Sequence, residues 1–172
     1  MKTSTLLCSL FMLVGCSGAP KGIAPVAPFD IDRYLGTWYE IARLDHRFER
    51  GLNQVSADYS RRADGGINVL NRGYNSETGE WKEATGRAYP LGSPQQGSLK
   101  VTFFWPFYAG YHVLELDQQD YSYALVSGPD RDYLWLLSRT PTLDKAITQK
   151  LIDKATDLGF ATGDLIFVDQ LK

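Results

Sequence analysis

The sequence predicts an all-β protein: an eight-stranded antiparallel up-and-down barrel with a C-terminal α-helix packed outside. Three observations predict it. Turn chemistry recurs at short intervals, at Ala63-Asp64-Gly65-Gly66, Asn75-Ser76-Glu77-Thr78-Gly79, Gly92-Ser93-Pro94, Trp105-Pro106 to Gly110, Asp117 to Asp120 and Gly128-Pro129-Asp130, and such punctuation separates strands. No helix-length segment falls between these breaks, which excludes parallel crossovers and leaves a meander that loses its edges on closure. The only long helical pattern, Leu143, Ile147, Leu151, Ala155 and Leu158, follows the last strand.

Before the barrel come two segments that do not belong to it. Lys2 supplies a positive start, and the apolar run Leu6 to Val14 is too short for a bilayer, which needs about 20 residues. Residues 1–15 read as a signal peptide. Leu13-Val14-Gly15-Cys16 has the leucine, small-residue, cysteine order of a lipoprotein box, so Cys16 is expected as the acylated first residue of the mature chain. Cys8 leaves with the signal and no internal disulfide can form. Several acyl chains on one residue anchor a protein firmly without spanning the membrane. Ser17, where an aspartate would resemble an inner-membrane retention signal, points to the outer membrane, periplasm-facing. Ser17 to Pro28 lacks apolar periodicity and is rich in proline and alanine. Residues 16–28 therefore read as an acylated cysteine and a tether, extended enough to hold a domain on the order of 30 Å from the lipid. Residues 29–172 have the size of one domain.

Within that domain Asp30 to Leu35, with Ile31, Tyr34 and Leu35 on one side, is a short amphipathic piece that can close the barrel from beneath. Strands are expected near 37–44, 53–61, 66–74, 80–89, 97–104, 110–117, 121–127 and 133–139. Alternation gives their inner face: Trp38, Glu40 and Ala42; Val55, Ala57 and Tyr59; Ile67, Val69, Asn71 and Gly73; Ala84, Gly86 and Ala88; Leu99, Val101 and Phe103. The other face of the middle strands carries Gln54, Ser56, Asp58, Asn68, Arg72, Lys82, Glu83, Lys100 and Thr102, the reverse of a membrane barrel. In the first and last two strands Tyr39, Ile41, Tyr123, Leu125, Leu134 and Leu136 make the outer face apolar too. The helix is expected to cover this seam, capped by Thr142 and ended by Gly159, with Leu165 to Val168 adding a strand beside the first.

Eight strands enclose either packed side chains or one small ligand. Ala42, Ala57, Gly73, Ala84, Gly86, Ala88 and Ala124 are small and favour a hollow interior; the alternative sets them against Tyr59, Phe103, Tyr111 and Trp135 in a packed one. Chain direction puts the turns near 45–53, 75–79, 105–109 and 128–132 around an open mouth, and Asp117 and Arg139 beside Trp38 at the floor. A guanidinium on a desolvated indole contributes about 1 to 2 kcal/mol. Phe103 to Tyr108, the most apolar stretch of the mature chain, falls partly on a mouth loop and suits a membrane contact, a homodimer interface or a lid as well as ordinary packing. Arg43, Arg47, Arg50 and Arg131 are expected to be solvated there, where a phosphate-bearing group would suit them. Glu40 faces inward and needs a donor or a proton.

Other chemistries find little support. The formal charge is −2, and −3 once residues 1–15 and their single cation Lys2 are removed, so nucleic acid is not an expected partner. His46 and His112 stand without ligand spacing, so no metal and no cofactor are expected. There is no nucleophile elbow, phosphate loop or interior cysteine.

The sequence resembles the lipocalins, and most closely their bacterial outer-membrane lipoprotein branch, across the whole mature chain. Gly36-Thr37-Trp38-Tyr39-Glu40-Ile41-Ala42 is similar to the family's first signature, Leu137-Ser138-Arg139 to the third, and Leu116-Asp117-Gln118 keeps only part of the second. The runs Asp45 to Gly51 and Gly128 to Trp135 resemble the bacterial branch. The resemblance implies the lipocalin fold, closed at the floor by Gly36, Trp38, Asp117 and Arg139, with a cavity for fatty acids or lysophospholipids held for storage or transport in the envelope. Alternation and the family's parity then line that cavity with Tyr59, Val101, Phe103, Tyr111, Val113, Ala124, Val126, Tyr133, Trp135 and Leu137. Two alternatives stay open: an enzyme on hydrophobic substrates using Glu40 or a tyrosine, and a structural lipoprotein without ligand.

Overall fold

A computed structural model describes residues 17–170; Cys16 and the signal peptide lie outside the described residues. A single turn of helix, α1 (Ile31–Tyr34), precedes β1 (Gly36–Arg43), β2 (Leu52–Arg61), β3 (Ile67–Asn75), β4 (Glu80–Pro90), β5 (Ser98–Phe104), β6 (Phe107–Leu116), β7 (Tyr123–Ser127) and β8 (Leu134–Ser138). Then come α2 (Lys145–Asp157), a 3-10 turn over Thr162–Asp164 and a short β9 (Ile166–Phe167). The strands run antiparallel in the order β2-β3-β4-β5-β6-β7-β8-β1-β9, and β1 also pairs with β2, which closes the barrel. The expected fold is therefore present, including β9 beside β1, where Ala42 pairs with Phe167 and Arg43 with Ile166.

Two large apolar clusters divide the molecule, beside a small third of Leu52, Val55 and Val168. The inner one gathers Tyr34, Trp38, Tyr59, Ile67, Val69, Ala88, Leu99, Val113, Leu116, Ala124, Val126 and Leu137. The outer one sets Leu151 and Ala155 of α2, with Phe160, on Ala42, Leu44, Leu114, Leu125, Leu134 and Leu136, so the helix covers the doubly apolar seam as the alternation implied.

Differences from expectation have local causes. In β1 Glu40 pairs with Leu137 and Ala42 with Leu136, leaving Ile41 as an extra residue. Such a bulge reverses the parity that follows. Ala42 consequently joins the outer cluster and Arg43 turns inward, opposite to both assignments. Lys82 pairs with Gly73 on the inward parity of β4, so it lies on the lumen side of the rim. The stretch 105–109 is no loop: Phe104 pairs with Phe107 across a two-residue turn. The cap of α2 is Asp144, whose carboxylate accepts from Ala146 N at 2.8 Å and Ile147 N at 3.2 Å. A carboxylate also suits the positive helix end, and Thr142 instead accepts through its carbonyl from Thr140. Gly159 ends the helix at φ +81°.

The tether is the largest departure. Residues 17–28 lie along the outer wall. Val26 N donates to Val113 O at 2.8 Å and Gly97 N to Val26 O at 2.9 Å, Ile23 joins the outer cluster, and Pro20 is buried. A Cβ on Gly97 would stand 2.9 Å from the Val26 side chain and one on Gly110 2.5 Å from Ser17 O. Glycine at these two positions is what lets the segment lie so close.

Candidate functional site

The floor is built first. Gly36 takes φ +92°, a conformation open to glycine at little steric cost, and starts β1 directly after α1. Trp38, buried, donates Nε1 to Tyr34 O at 2.8 Å. The Arg139 guanidinium lies 4.1 Å from the Trp38 ring and donates to Thr37 O at 3.0 Å, Arg33 O at 2.8 Å and Tyr121 O at 3.3 Å. Asp117 organises the adjoining turn, accepting from Ser122 Oγ at 2.6 Å and Gln119 N at 3.2 Å. Burial opposes its ionised form, but these hydrogen bonds hold its carboxyl below the usual range. Above the indole, Tyr111 OH meets Tyr34 OH at 2.7 Å and Tyr59 OH at 3.1 Å. Burial raises all three phenols, Tyr59 to about 12, so the trio is neutral and hydrogen-bonded to itself.

Higher in the barrel the inner wall opens. Trp38, Ala57, Asn71 and Ala84 pair in one row across β1 to β4, and directly paired residues share a face. Ala84 is nonetheless exposed, and Ala57, Asn71, Val101, Tyr111 and Trp135 are only half-buried. Side chains that point inward yet keep accessible surface require open space inside the wall. Asn71 Oδ1 is buried there with no hydrogen-bond partner among the described residues. Phe103 lies across Gly86, where a Cβ would come 2.9 Å from its ring, and stays partly exposed. Val113, Ala124, Val126 and Leu137 are buried in the inner cluster, and Tyr59 joins them below.

On the opposite wall a polar group occupies the mouth. Arg43, buried, donates to Glu40 Oε1 at 2.6 Å and to the carbonyls of Glu49 at 2.8 Å and Leu52 at 3.2 Å. His46 Nε2 stands 2.9 Å from Glu49 Oε2, to which Trp135 Nε1 donates at 3.0 Å. Tyr133 stacks on Trp135 and flanks His46. Burial, with Glu49 beside it, drives Glu40 well above the usual carboxylate range against the pull of Arg43. Burial pushes Glu49 the same way, but His46, Trp135 and Glu40 outweigh it and leave Glu49 lowered. Of the two carboxyls, Glu40 therefore holds a proton the more tightly and Glu49 ionises the more readily.

Sequence reasoning singled out Glu40 but missed its partners. Arg43 was expected in solvent, and only the bulge turns it inward. Arg131 also departs from expectation, donating to Leu158 O at 2.8 Å and Lys21 O at 3.1 Å, and Arg50 is held by Asp45 at 2.6 Å. Of the four mouth arginines, Arg47, over Phe48, and Arg50 are exposed as expected. His112 is wedged between Ser98 Oγ, 2.9 Å from its Nδ1, and the backbone of Ser17 and Gly18.

The lipocalin-like domain family matches residues 29–170. The chain is a lipocalin. Among its relatives is the outer membrane lipoprotein Blc of Vibrio cholerae, 57% identical over 165 residues that cover 96% of each chain. The protein of that name from Escherichia coli K12 is 54% identical over 162 residues, covering 93% of this lipocalin and 91% of the relative. In fold it is similar to the cockroach allergen Per a 4, with a TM-score of 0.70 at 21% identity, covering 90% of this chain and 96% of that one.

Proposed function

We propose that this lipocalin is an outer-membrane lipoprotein, anchored through acylated Cys16, that holds a fatty acid or lysophospholipid inside its barrel for storage or transport. The observation that carries the reading is the accessible inner wall around Ala57, Asn71, Ala84, Val101 and Phe103. An acyl chain entering there is driven by apolar area removed from water, about 25 cal/mol per Å². Tyr111, Tyr133 and Trp135 flank the same space, and Asn71 offers an unused acceptor to a hydroxyl of a polar head. Lys82, on the inward parity of the rim, is a cation for a carboxylate or phosphate. Val113, Ala124, Val126 and Leu137 support the wall from the buried side. The relatives named outer membrane lipoprotein support the address.

An enzymatic reading would need Glu40 or a tyrosine free to act. Glu40 is engaged by Arg43 and Glu49, and Tyr34, Tyr59 and Tyr111 bond one another. Binding without turnover is the reading we adopt.

The test fills the lumen. Ala84→Phe adds a ring where the wall is open, so the fold should persist while affinity for a fluorescent fatty acid falls at least tenfold. Native mass spectrometry of gently extracted protein should show a bound lipid, and fatty-acid labelling should be lost in Cys16→Ser. Unchanged affinity in Ala84→Phe removes the ligand from this wall.

A further inference from the structure

Exposed aromatic side chains gather at one pole of the barrel. Phe104 and Trp105 are each 74% exposed and Phe107 77%, on the two-residue turn that joins β5 to β6. Phe48, 62% exposed, lies between β1 and β2, and Trp81, 45% exposed, is the second residue of β4. All five sit at the mouth. The floor connections 62–66, 91–97 and 117–122 contribute no exposed large apolar side chain among the described residues. Rings on a tight apex forgo burial worth about 2 kcal/mol each, and exposed apolar side chains gathered in this way mark a contact surface.

The N-terminal segment reaches the same pole. It leaves the floor at Phe29, whose N donates to Gln95 O, and passes Lys21, which accepts from Arg131 in the mouth turn between β7 and β8. Its first described residue, Ser17, rests on Gly110. Gly110 is three residues along β6 from Phe107, about 10 Å at the rise of a strand. One peptide bond, about 3.8 Å between Cα atoms, separates Ser17 from Cys16.

We propose that the mouth of the barrel docks on the lipid leaflet that holds the anchor, with the Phe104, Trp105 and Phe107 apex at the boundary between headgroups and acyl chains. The proposal rests on the reading of Cys16 as acylated. Indole and phenyl rings favour that boundary, and an anchored lipid beside the mouth brings them to it at high effective concentration. Cations accompany the rings: Arg47 lies over Phe48 at 4.9 Å, Lys100 over Tyr108 at 5.2 Å, and Lys82 follows Trp81. They match the phosphates of a headgroup layer. In this pose a lipid passes from leaflet to lumen without crossing bulk water.

The experiment uses the full acylated protein in vesicles of phosphatidylethanolamine and phosphatidylglycerol whose acyl chains carry bromine. Tryptophan emission is expected to be quenched, and Trp105→Phe to remove at least half of the quenching; Trp81 at the rim accounts for the quenching that stays, and Trp38, buried at the floor, for unquenched emission. The variant Phe104→Ser, Trp105→Ser, Phe107→Ser alters only side chains in solvent, so it should fold, still float with the vesicles and lose the quenching. Equal quenching in the protein and in Trp105→Phe overturns the proposal. So does an apex shielded by concentration-dependent self-association without lipid, which would make it a homodimer interface. A chain without fatty-acid label at Cys16 overturns the anchor and leaves the apex to be judged by vesicle binding of the unacylated chain, which the triple serine variant must abolish if the apex docks.

Discussion

At the scale of single residues, the floor depends on Arg139 doing two things at once. Its guanidinium covers the Trp38 ring and donates to the carbonyls of Thr37, Arg33 and Tyr121, tying the end of β8 to α1, β1 and the turn before β7. Arg139→Ala should cost about 2 to 3 kcal/mol in denaturant unfolding, since both the stacking and the carbonyl partners are lost. Arg139→Lys should restore less than half, because an ammonium lacks the planar fork. Full rescue by lysine would show that charge alone matters. Gly36 completes the arrangement: a Cβ there would lie 3.3 Å from Arg139 Nη1 at a positive φ, so strain and crowding coincide. This pair was legible in the sequence because a Trp signal and a lone arginine bracket the strands.

The Glu40 cluster was not legible, because one extra residue in β1 decides that Arg43 faces inward, and alternation counted along a sequence has no term for a bulge. The structure makes its pH dependence calculable in sign. Glu40 is raised, so its contribution is fully present below the ordinary glutamate value and is lost as pH rises through its folded value. Glu49 is lowered, so its contribution is present above the ordinary value and is lost as pH falls through its folded value. Glu40→Gln copies the protonated carboxyl, donating toward Glu49 and accepting from Arg43. Its stability should match the parent below the ordinary glutamate value, and the parent should fall increasingly below it as pH rises toward the folded value of Glu40. Parallel stability curves for the two proteins would place the proton elsewhere. Glu40→Ala, which leaves Arg43 buried without its carboxyl, should cost about 3 kcal/mol.

At the scale of elements, the strands and the outer helix followed from turns and periodicity, whereas the tether did not, because its contacts, Val26 with Val113 and Gly97, Ile23 with the outer cluster and Ser17 with Gly110, follow no period. Nothing in an aperiodic, proline-rich run marks it as bound, yet Gly97 and Gly110 are shaped to receive it. Gly110→Val should therefore displace residues 17–28 and expose them to protease while the barrel keeps its strand signal in circular dichroism. Retained protection would mean that the segment can settle without that contact. The helix cap offers a milder case. Asp144→Ala should cost about 1 kcal/mol, whereas Leu151→Ala, buried against the seam, should cost about 3 kcal/mol. The position of the cap was missed because Thr142 and Asp144 are both good caps by type, and only the turn after Pro141 selects between them.

At the scale of the whole molecule, the barrel divides into a floor whose indole, guanidinium and tyrosine hydroxyls are hydrogen-bonded and a mouth half where the wall remains accessible. The indole, the tyrosine trio and the Asp117 turn make the lower half rigid whether or not a ligand is present. The upper half holds apolar surface on Ala57, Ala84, Val101 and Phe103 that folding alone has not removed from water. A ligand that binds only the folded barrel supplies the missing burial and stabilises it by RT ln(1 + [L]/Kd). With palmitate or a lysophospholipid at one hundred times its Kd this amounts to about 2.7 kcal/mol. For a domain of this size each kcal/mol moves Tm by about 2 to 4 °C, so the midpoint should rise by roughly 5 to 10 °C. The gain must be unevenly distributed: amide exchange should slow on β3, β4 and β5 around the accessible row and stay unchanged at Trp38 and Arg139, already closed. Ala84→Phe, which puts a ring into the same space, should show a smaller shift on adding ligand. A midpoint that does not move under saturating lipid, or protection that appears first at the floor, would mean that the accessible wall is not where an acyl chain goes.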